Sequence, residues 1–367
     1  MYDIGRSKRA DKAYGLGNVA IVPSKRTRDD SDVDLTWKID AVSLDFPLVA
    51  APMDSIMSPA TVIQMGQLGG LGVLNLEGLW TRYQNPQPIF DQLAAVDDAL
   101  AASQMMQRLY AAPIVPELVS ARLAEITAAG VPVAAAVSQR NVRSLADRIA
   151  QAGIDLLVIR GTLVSAQHVS QTADSLDLYD FIHSIDSPVI VGGCANYHTA
   201  MHLMRAGAAG VLVGFGGGAR HAIHDVLGIQ VPMATAIADV AAARSDYLDE
   251  SGGRYVQVIA DGSIGGSGDI AKAIACGADA AMVGAPFARA NQAPGQGYHW
   301  GPEAWHPSLP RGLRSHVDTI ASLEEILHGP SSRSDGSMNL VGALRRTLAS
   351  TGFTDVKSFQ KAELILV

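Results

Sequence analysis

YVQVIADGSIGGSGDIAKAIACGADAAMVGAP, residues 255–286, holds two short apolar runs on either side of one helical pattern. In VIAD and AAMV the apolar residues run on without alternating with polar ones. That pattern belongs to a strand covered on both faces, and so to a parallel sheet. Between the two runs, DIAKAIACG places apolar residues at helical spacing and stops at Gly277, a residue type that ends helices. The stretch therefore reads as strand, helix, parallel strand.

The same unit recurs along the chain. Strand-like runs are FPLVAAPMD (46–54), GLGVLNL (70–76), VPVAAAVS (131–138), DLLVIRGT (155–162), SPVIVGGCA (187–195), AGVLVGFG (209–216), YVQVIADGS (255–263) and AAMVGAP (280–286). Helical patterns SPATVIQMGQLG, VSARLAEITAAG, VRSLADRIAQAG, YHTAMHLMRAGA and DIAKAIACGADA each close near a glycine. Eight such units predict an α/β fold, a closed (β/α)8 TIM barrel. The rival is an open, doubly wound sheet, although no GxGxxG follows the first strand as a dinucleotide-binding version would require. The units repeat but their sequence does not, which excludes a solenoid.

The chain has 367 residues, 48% apolar and 17% charged. At about 150 residues per domain two domains would be expected, but α/β barrels exceed that size as one. We read a single barrel domain over 1–367, with 1–45 as an N-terminal extension and 294–338 as a flap after the eighth strand. The net charge of −8 argues against a nucleic-acid binder, which needs a basic face. The basic run Arg6, Lys8, Arg9, Lys12, Lys25, Arg26 and Arg28 reads as a solvated segment. The two cysteines, Cys194 and Cys276, have no metal spacing and fit a reducing compartment. No apolar leader and no spanning run is present. The expectation is a cytoplasmic protein with no membrane and no nucleic-acid partner.

In such barrels function gathers where strands end. That rule selects Pro52–Asp54, Arg160–Thr162, Gly192–Ala195, Gly214–Asp225, Asp261–Gly266 and Gly284–Pro286. It also draws attention to PGQGYHWGPEAWHPSLPRG (294–312), rich in Gly, Pro and aromatics like a functional loop. LVGALRRTLASTGF (340–353) reads as a closing helix. The loop GFGGGARHAIHDVLGIQVP (214–232) has the glycines of an anion cradle but no Cys, Ser or Lys. It offers Arg220, His221, His224 and Asp225 instead.

APMD (51–54), IADGS with GGSGDIAKAIACGADAAMVG, and VLGIQVPMATAIADVA together resemble the IMP dehydrogenase/GMP reductase family. YGLGNVAIVPSKRTRD and LGGLGVLNLEGLWTRYQNPQP extend the likeness over essentially the whole chain. It looks most like the short-form branch without the regulatory CBS pair, since residues 77–130 are too few to hold one. The resemblance implies a (β/α)8 barrel, tetrameric or octameric assembly, and a purine nucleotide or nucleoside ligand. It also implies NAD and a loop cysteine whose thiolate attacks C2 of the base while hydride leaves to NAD.

Laid on the family pattern, the nucleophile falls on His221, followed by Ala222, Ile223 and His224. Ala51 precedes Pro52 where a serine is usual, Ser263 replaces a glycine, and Ala285 a phosphate-binding serine. Pro302 and Glu303 stand where Met and a small residue face the purine, and Arg160 where relatives hold an acid or amide. The resemblance still implies Asp261 on the ribose hydroxyls, Gly262 and Gly284 offering N–H groups to phosphate, and Tyr298 on phosphate. Arg311 takes the place of the water-activating arginine. Met53, Ser263, Ala285, Gly301, Glu303, Gly218 and Arg220 complete the expected ligand site, Arg220 with charge for an anion.

Imidazole attack at C2 would give a cationic adduct that reverts rather than loses hydride, so ordinary IMP oxidation is not expected. Arg160 and the altered loop flank the region where nicotinamide would stack, and argue against NAD. One reading is a divergent enzyme using His221, with His224, as acid or base and Arg311 to orient water. Another is an inactive paralogue, a nucleotide sensor or co-assembly partner. A third is a metal held by His221, His224 and Asp225, with His299 or His306 as further candidates. No resident metal is expected.

Overall fold

The computed structural model describes residues 2–161, 164, 176–215, 227–301, 304 and 314–367. Eight parallel strands close into a barrel: β1 (Leu48–Ala50), β2 (Leu71–Asn75), β3 (Ala134–Val137), β4 (Leu156–Arg160), β5 (Val189–Cys194), β6 (Gly210–Val213), β7 (Gln257–Asp261) and β8 (Ala280–Val283). Each pairs with its neighbours in sequence, and β8 returns to β1 through Ala281↔Leu48 and Val283↔Ala50. The open doubly wound sheet is thereby excluded. All eight strands lie within the runs read from the sequence, because residues buried on both faces leave no polar alternation to confuse their limits.

Helices on the outside include α1 (Pro59–Gln67), α2 (Gln87–Ala95), α3 (Ala99–Tyr110), α4 (Pro116–Ala128), α5 (Val142–Ala152), α6 (Leu178–His183), α7 (Tyr197–Arg205), α8 (Met233–Glu250) and α9 (Ser267–Ala275). The glycines that close the five helical patterns, Gly69, Gly130, Gly153, Gly207 and Gly277, all have positive φ. They turn the chain back toward the next strand in a conformation that other residues rarely adopt. Among the described residues no helix is long and apolar enough to cross a membrane.

The hairpin Trp37–Ile39 and Val42–Leu44 stoppers the N-terminal end of the barrel. Ile39 is fully buried, and Trp37 Nε1 donates to Gln257 Oε1 over 3.0 Å at the start of β7. Val19–Ile21 pairs with Leu364–Leu366 and ties the two ends of the chain together. Arg28 is not simply solvated: its Nε donates to the Gly352 carbonyl at 2.7 Å.

The stretch 294–338 is not continuous loop. After β8 comes α10 (Ala285–Ala288), then Tyr298–His299 pairs with Ser315–His316, and α11 (Leu323–His328) follows. A capping box between Ser322 and Glu325 starts α11. Six residues are too few for a periodic signal, so the pattern in the sequence does not reveal it. The closing helix is α12 (Leu340–Ser350). Helices α2 and α3 pack a second apolar cluster of Leu79, Phe90, Leu93, Met106 and Tyr110 against Trp300 and Ala304. The insert after β2 thus reaches the root of the flap.

Candidate active site

The C-terminal ends of the strands form the mouth of the barrel. β4 ends at Arg160 and β7 at Asp261, three places apart around the barrel. Arg160 Nη2 nevertheless lies 3.2 Å from Asp261 Oδ2. The intervening strands permit this span, because their ends carry Gly192, Gly193 and Gly214, which project no side chain. The pair is almost dry, with side chains 11% and 4% exposed. Burial raises the Asp261 carboxyl above its usual range, and the Arg160 guanidinium pulls it partly back. Arg160 Nη1 is buried and has no hydrogen-bond partner among the described residues.

Beyond Asp261, Gly262 and Ser263 both have positive φ, at 134° and 56°. A glycine at the second position would adopt this conformation freely; Ser263 holds it at a steric cost and stands exposed. Gly265 N–H donates to Asp269 Oδ2 at 3.0 Å, fixing the turn into α9.

At the end of β8, Gly284 lies beside Met53 and His299. A Cβ placed on Gly284 would sit 3.6 Å from His299 Nε2 and 3.7 Å from Met53 Sδ. Ala285 opens the short α10. His299 is buried, and neither ring nitrogen has a partner among the described residues. Burial pushes its pKa down to about 4, so the imidazole is neutral at pH 7. The ring of Tyr298 carries the Arg314 guanidinium 3.6 Å above its centroid and meets His316 edge-on. Arg314 also donates to the carbonyls of Leu93 and Val96 beside α2. Gly301 is buried at the flap root, its carbonyl accepting from Ala304 N–H at 3.0 Å.

Met53, Asp261, Gly262, Ser263, Gly284, Ala285, Tyr298 and Gly301 therefore lie at or beside the mouth. Gly218, Arg220, His221, His224, Glu303 and Arg311 lie outside the described residues, as do Asp225, Pro302 and His306. Among the described residues no cluster of His, Cys, Asp or Glu is arranged to hold a metal.

Sequence reasoning selected Asp54 as a strand end but missed the partners that hold it, and Glu77, beneath this mouth. Asp54 is buried and accepts from Tyr110 Oη at 2.5 Å, Leu79 N–H at 2.9 Å and Asn75 Nδ2 at 3.3 Å. Burial lifts its carboxyl to about 6 against the pull of those bonds, Tyr110 first. Glu77 accepts from Ser138 N–H at 2.6 Å, from Ser138 Oγ at 2.9 Å, and from Asn141 Nδ2. It joins the ends of β2 and β3. Tyr110 gives no signal in the sequence, whereas Glu77, just past a strand end, is open to the same positional rule that selected Asp261.

Neither thiol is poised for chemistry. Cys194 closes β5, buried, with its thiol pushed up to about 12. Cys276 follows α9 on the outer layer and is raised to about 11. Both shifts come from burial, which disfavours the thiolate.

Residues 13–305 match the IMP dehydrogenase / GMP reductase domain. The chain belongs to that family. A crystal structure of an IMP dehydrogenase/GMP reductase-like protein from Corynebacterium glutamicum superposes with a TM-score of 0.95 at 49% identity. That match covers 100% of this chain and 97% of the other. An uncharacterised oxidoreductase of Mycobacterium tuberculosis is 49% identical over 371 residues, 99% of each chain. The inosine-5'-monophosphate dehydrogenase of Haemophilus influenzae is 32% identical over 250 residues, 60% of this chain and 47% of that one.

Proposed function

We propose that this member of the family binds a purine nucleotide or nucleoside at the barrel mouth and acts on it without a thiolate. The carrying observation is the combination of groups at hand. The carboxylate that the family resemblance assigns to ribose, Asp261, is held at the mouth, while Cys194 is buried, Cys276 is half-buried, and both thiols are pushed far above neutral pH. The family resemblance lays His221 on the position of the nucleophile. An unperturbed imidazole titrates near ~6.5 and serves as acid or base rather than as a covalent carrier. In this reading His221, assisted by His224, moves a proton at the purine, Arg311 orients water, and Glu303 accepts from an amino or ring N–H. A hydrolytic, dehydrating or isomerising step fits those groups.

NAD, implied by the resemblance, does not suit this mouth. The Arg160 guanidinium is cationic, as is the oxidised nicotinamide ring, and it occupies the strand end flanking the region where that ring would stack.

A second reading, a nucleotide-binding paralogue without turnover, draws support from the Arg160–Asp261 pair, in which the carboxylate assigned to the ribose hydroxyls is already engaged. One experiment separates these readings. Purified protein is given IMP with NAD and followed for NADH, incubated with IMP, inosine and hypoxanthine in turn for chromatographic detection of any product, and melted with each. The proposal expects no ordinary NADH formation. It expects stabilisation by a nucleotide or nucleoside of about 2.7 kcal/mol at a hundredfold excess over Kd. Binding with no turnover of any purine selects the paralogue; no purine-dependent shift removes both readings.

A further inference from the structure

The Arg160–Asp261 pair leaves one strong donor unused in a dry place. Nη2 faces Asp261 Oδ2 at 3.2 Å, whereas Nη1, equally buried, has no partner among the described residues. A buried N–H of a cation without an acceptor is costly, and native structures rarely tolerate one unless a ligand or water supplies the acceptor. The complement of a carboxylate acceptor beside a guanidinium donor is a group that both donates and accepts. A hydroxyl is such a group, and a vicinal diol presents two of them side by side. A carboxylate alone satisfies only the hydroxyl protons. Their lone pairs need a donor once water is excluded.

We propose that Arg160 and Asp261 together clamp the vicinal diol of a ribosyl ligand, Asp261 accepting from the hydroxyls and Arg160 Nη1 donating to one of them. The proposal rests on the reading of a ribose-bearing purine at this mouth and adds Arg160 as a specificity-determining residue. The ion pair is then part of the ribose site rather than an obstruction in it. The guanidinium fork suits this task because its nitrogens are fixed in one plane and serve two acceptors at once. A lysine at the same place would have to choose between them.

The test is calorimetric binding of IMP, 2'-deoxy-IMP and 3'-deoxy-IMP to the full chain and to its Arg160→Gln and Arg160→Lys variants. The native protein is expected to favour IMP over at least one deoxy analogue by about 10- to 100-fold, the worth of a hydrogen bond to a charged group. Arg160→Gln is expected to weaken IMP by a similar factor, leave the deoxy analogues little changed, and bring the ratio toward parity. Arg160→Lys keeps the charge beside Asp261, and so the fold, yet is expected to lose the same preference. If either folded variant keeps the native ratio, or weakens all three ligands alike, the clamp is wrong. Equal binding of the three nucleotides to the native protein removes the clamp and leaves the purine reading intact. Binding of none removes both.

Discussion

Tyr110 Oη lies 2.5 Å from Asp54 Oδ2, and Trp300 Nε1 donates to the same phenol oxygen at 3.0 Å. One chain of hydrogen bonds thereby joins the end of β1, the insert after β2 and the root of the flap. Asp54 has its folded pKa raised to about 6 from 3.8. A raised carboxyl favours the fold below its unfolded value, and that contribution is lost as pH climbs through about 6. The Tyr110 bond opposes the rise. Tyr110→Phe is expected to cost about 2 kcal/mol at pH ~7.5, because it removes a bond to a buried charge. The loss should shrink at pH ~5, where Asp54 takes up a proton. Urea denaturation at the two pH values checks this; equal stability of variant and native protein at the higher pH would show the bond to be idle.

His299 works in the opposite sense. Burial depresses its pKa from 6.5 to about 4, so the unfolded chain binds the extra proton between those values. Its contribution is present above about 6.5 and lost as pH falls toward 4, at most about 3 kcal/mol at 1.36 kcal/mol per unit. Over pH ~4 to ~6 the two groups offset each other. Replacing the imidazole by a group that does not titrate, His299→Leu, should remove the acid-sensitive part. The variant is then expected to gain stability relative to the native protein as pH drops. A parallel pair of stability-versus-pH curves for the two proteins would refute the assignment.

The barrel was legible because its eight strands are continuous apolar runs closed by glycine or by polar residues at the mouth. Asp261 was legible for the same reason, standing where β7 stops. Arg160 was visible as an unusual strand end, but its pairing with Asp261 was not: the two residues are 101 positions apart and meet across strand ends that carry Gly192, Gly193 and Gly214. Helices α2 and α3 were not picked out, although Ala102, Met106 and Tyr110 fall at helical spacing on α3; their apolar face is completed by Trp300, far along the chain. Tyr110 and Asp54 likewise meet across 56 residues. His221 and Arg311 are readable as motif positions alone.

Gly214 tests how closely β6 and β7 approach at the mouth. Its φ is +105°, and a Cβ there would lie 2.4 Å from the Asp261 carbonyl oxygen and 2.8 Å from Met233 Sδ. Gly252 also has positive φ, +72°, but nothing stands within 4 Å of its would-be Cβ. Gly252→Ala should therefore report backbone strain alone, about 1 kcal/mol. Gly214→Ala adds a backbone clash and should cost about 4 kcal/mol or more, with misplacement of Asp261. Thermal melting of both variants decides it; similar losses would mean that the strand ends move apart freely.

Cysteine chemistry offers the sharpest check on the proposed loss of covalent catalysis. A thiolate attacks an alkylating reagent and a thiol scarcely does, so reactivity follows pKa and exposure together. With Cys194 raised to about 12 and buried, and Cys276 raised to about 11, both should alkylate far more slowly in the native protein than in urea. Cys194→Ala, which trims a small buried side chain at the end of β5, should retain purine binding and any turnover, at a stability cost of about 1 kcal/mol. Rapid, stoichiometric alkylation of native Cys194 that a bound purine blocks would place a reactive thiol in the ligand site. A folded Cys194→Ala protein that bound purine but had lost all turnover would carry the same message, and the chemistry assigned to His221 would pass to sulfur.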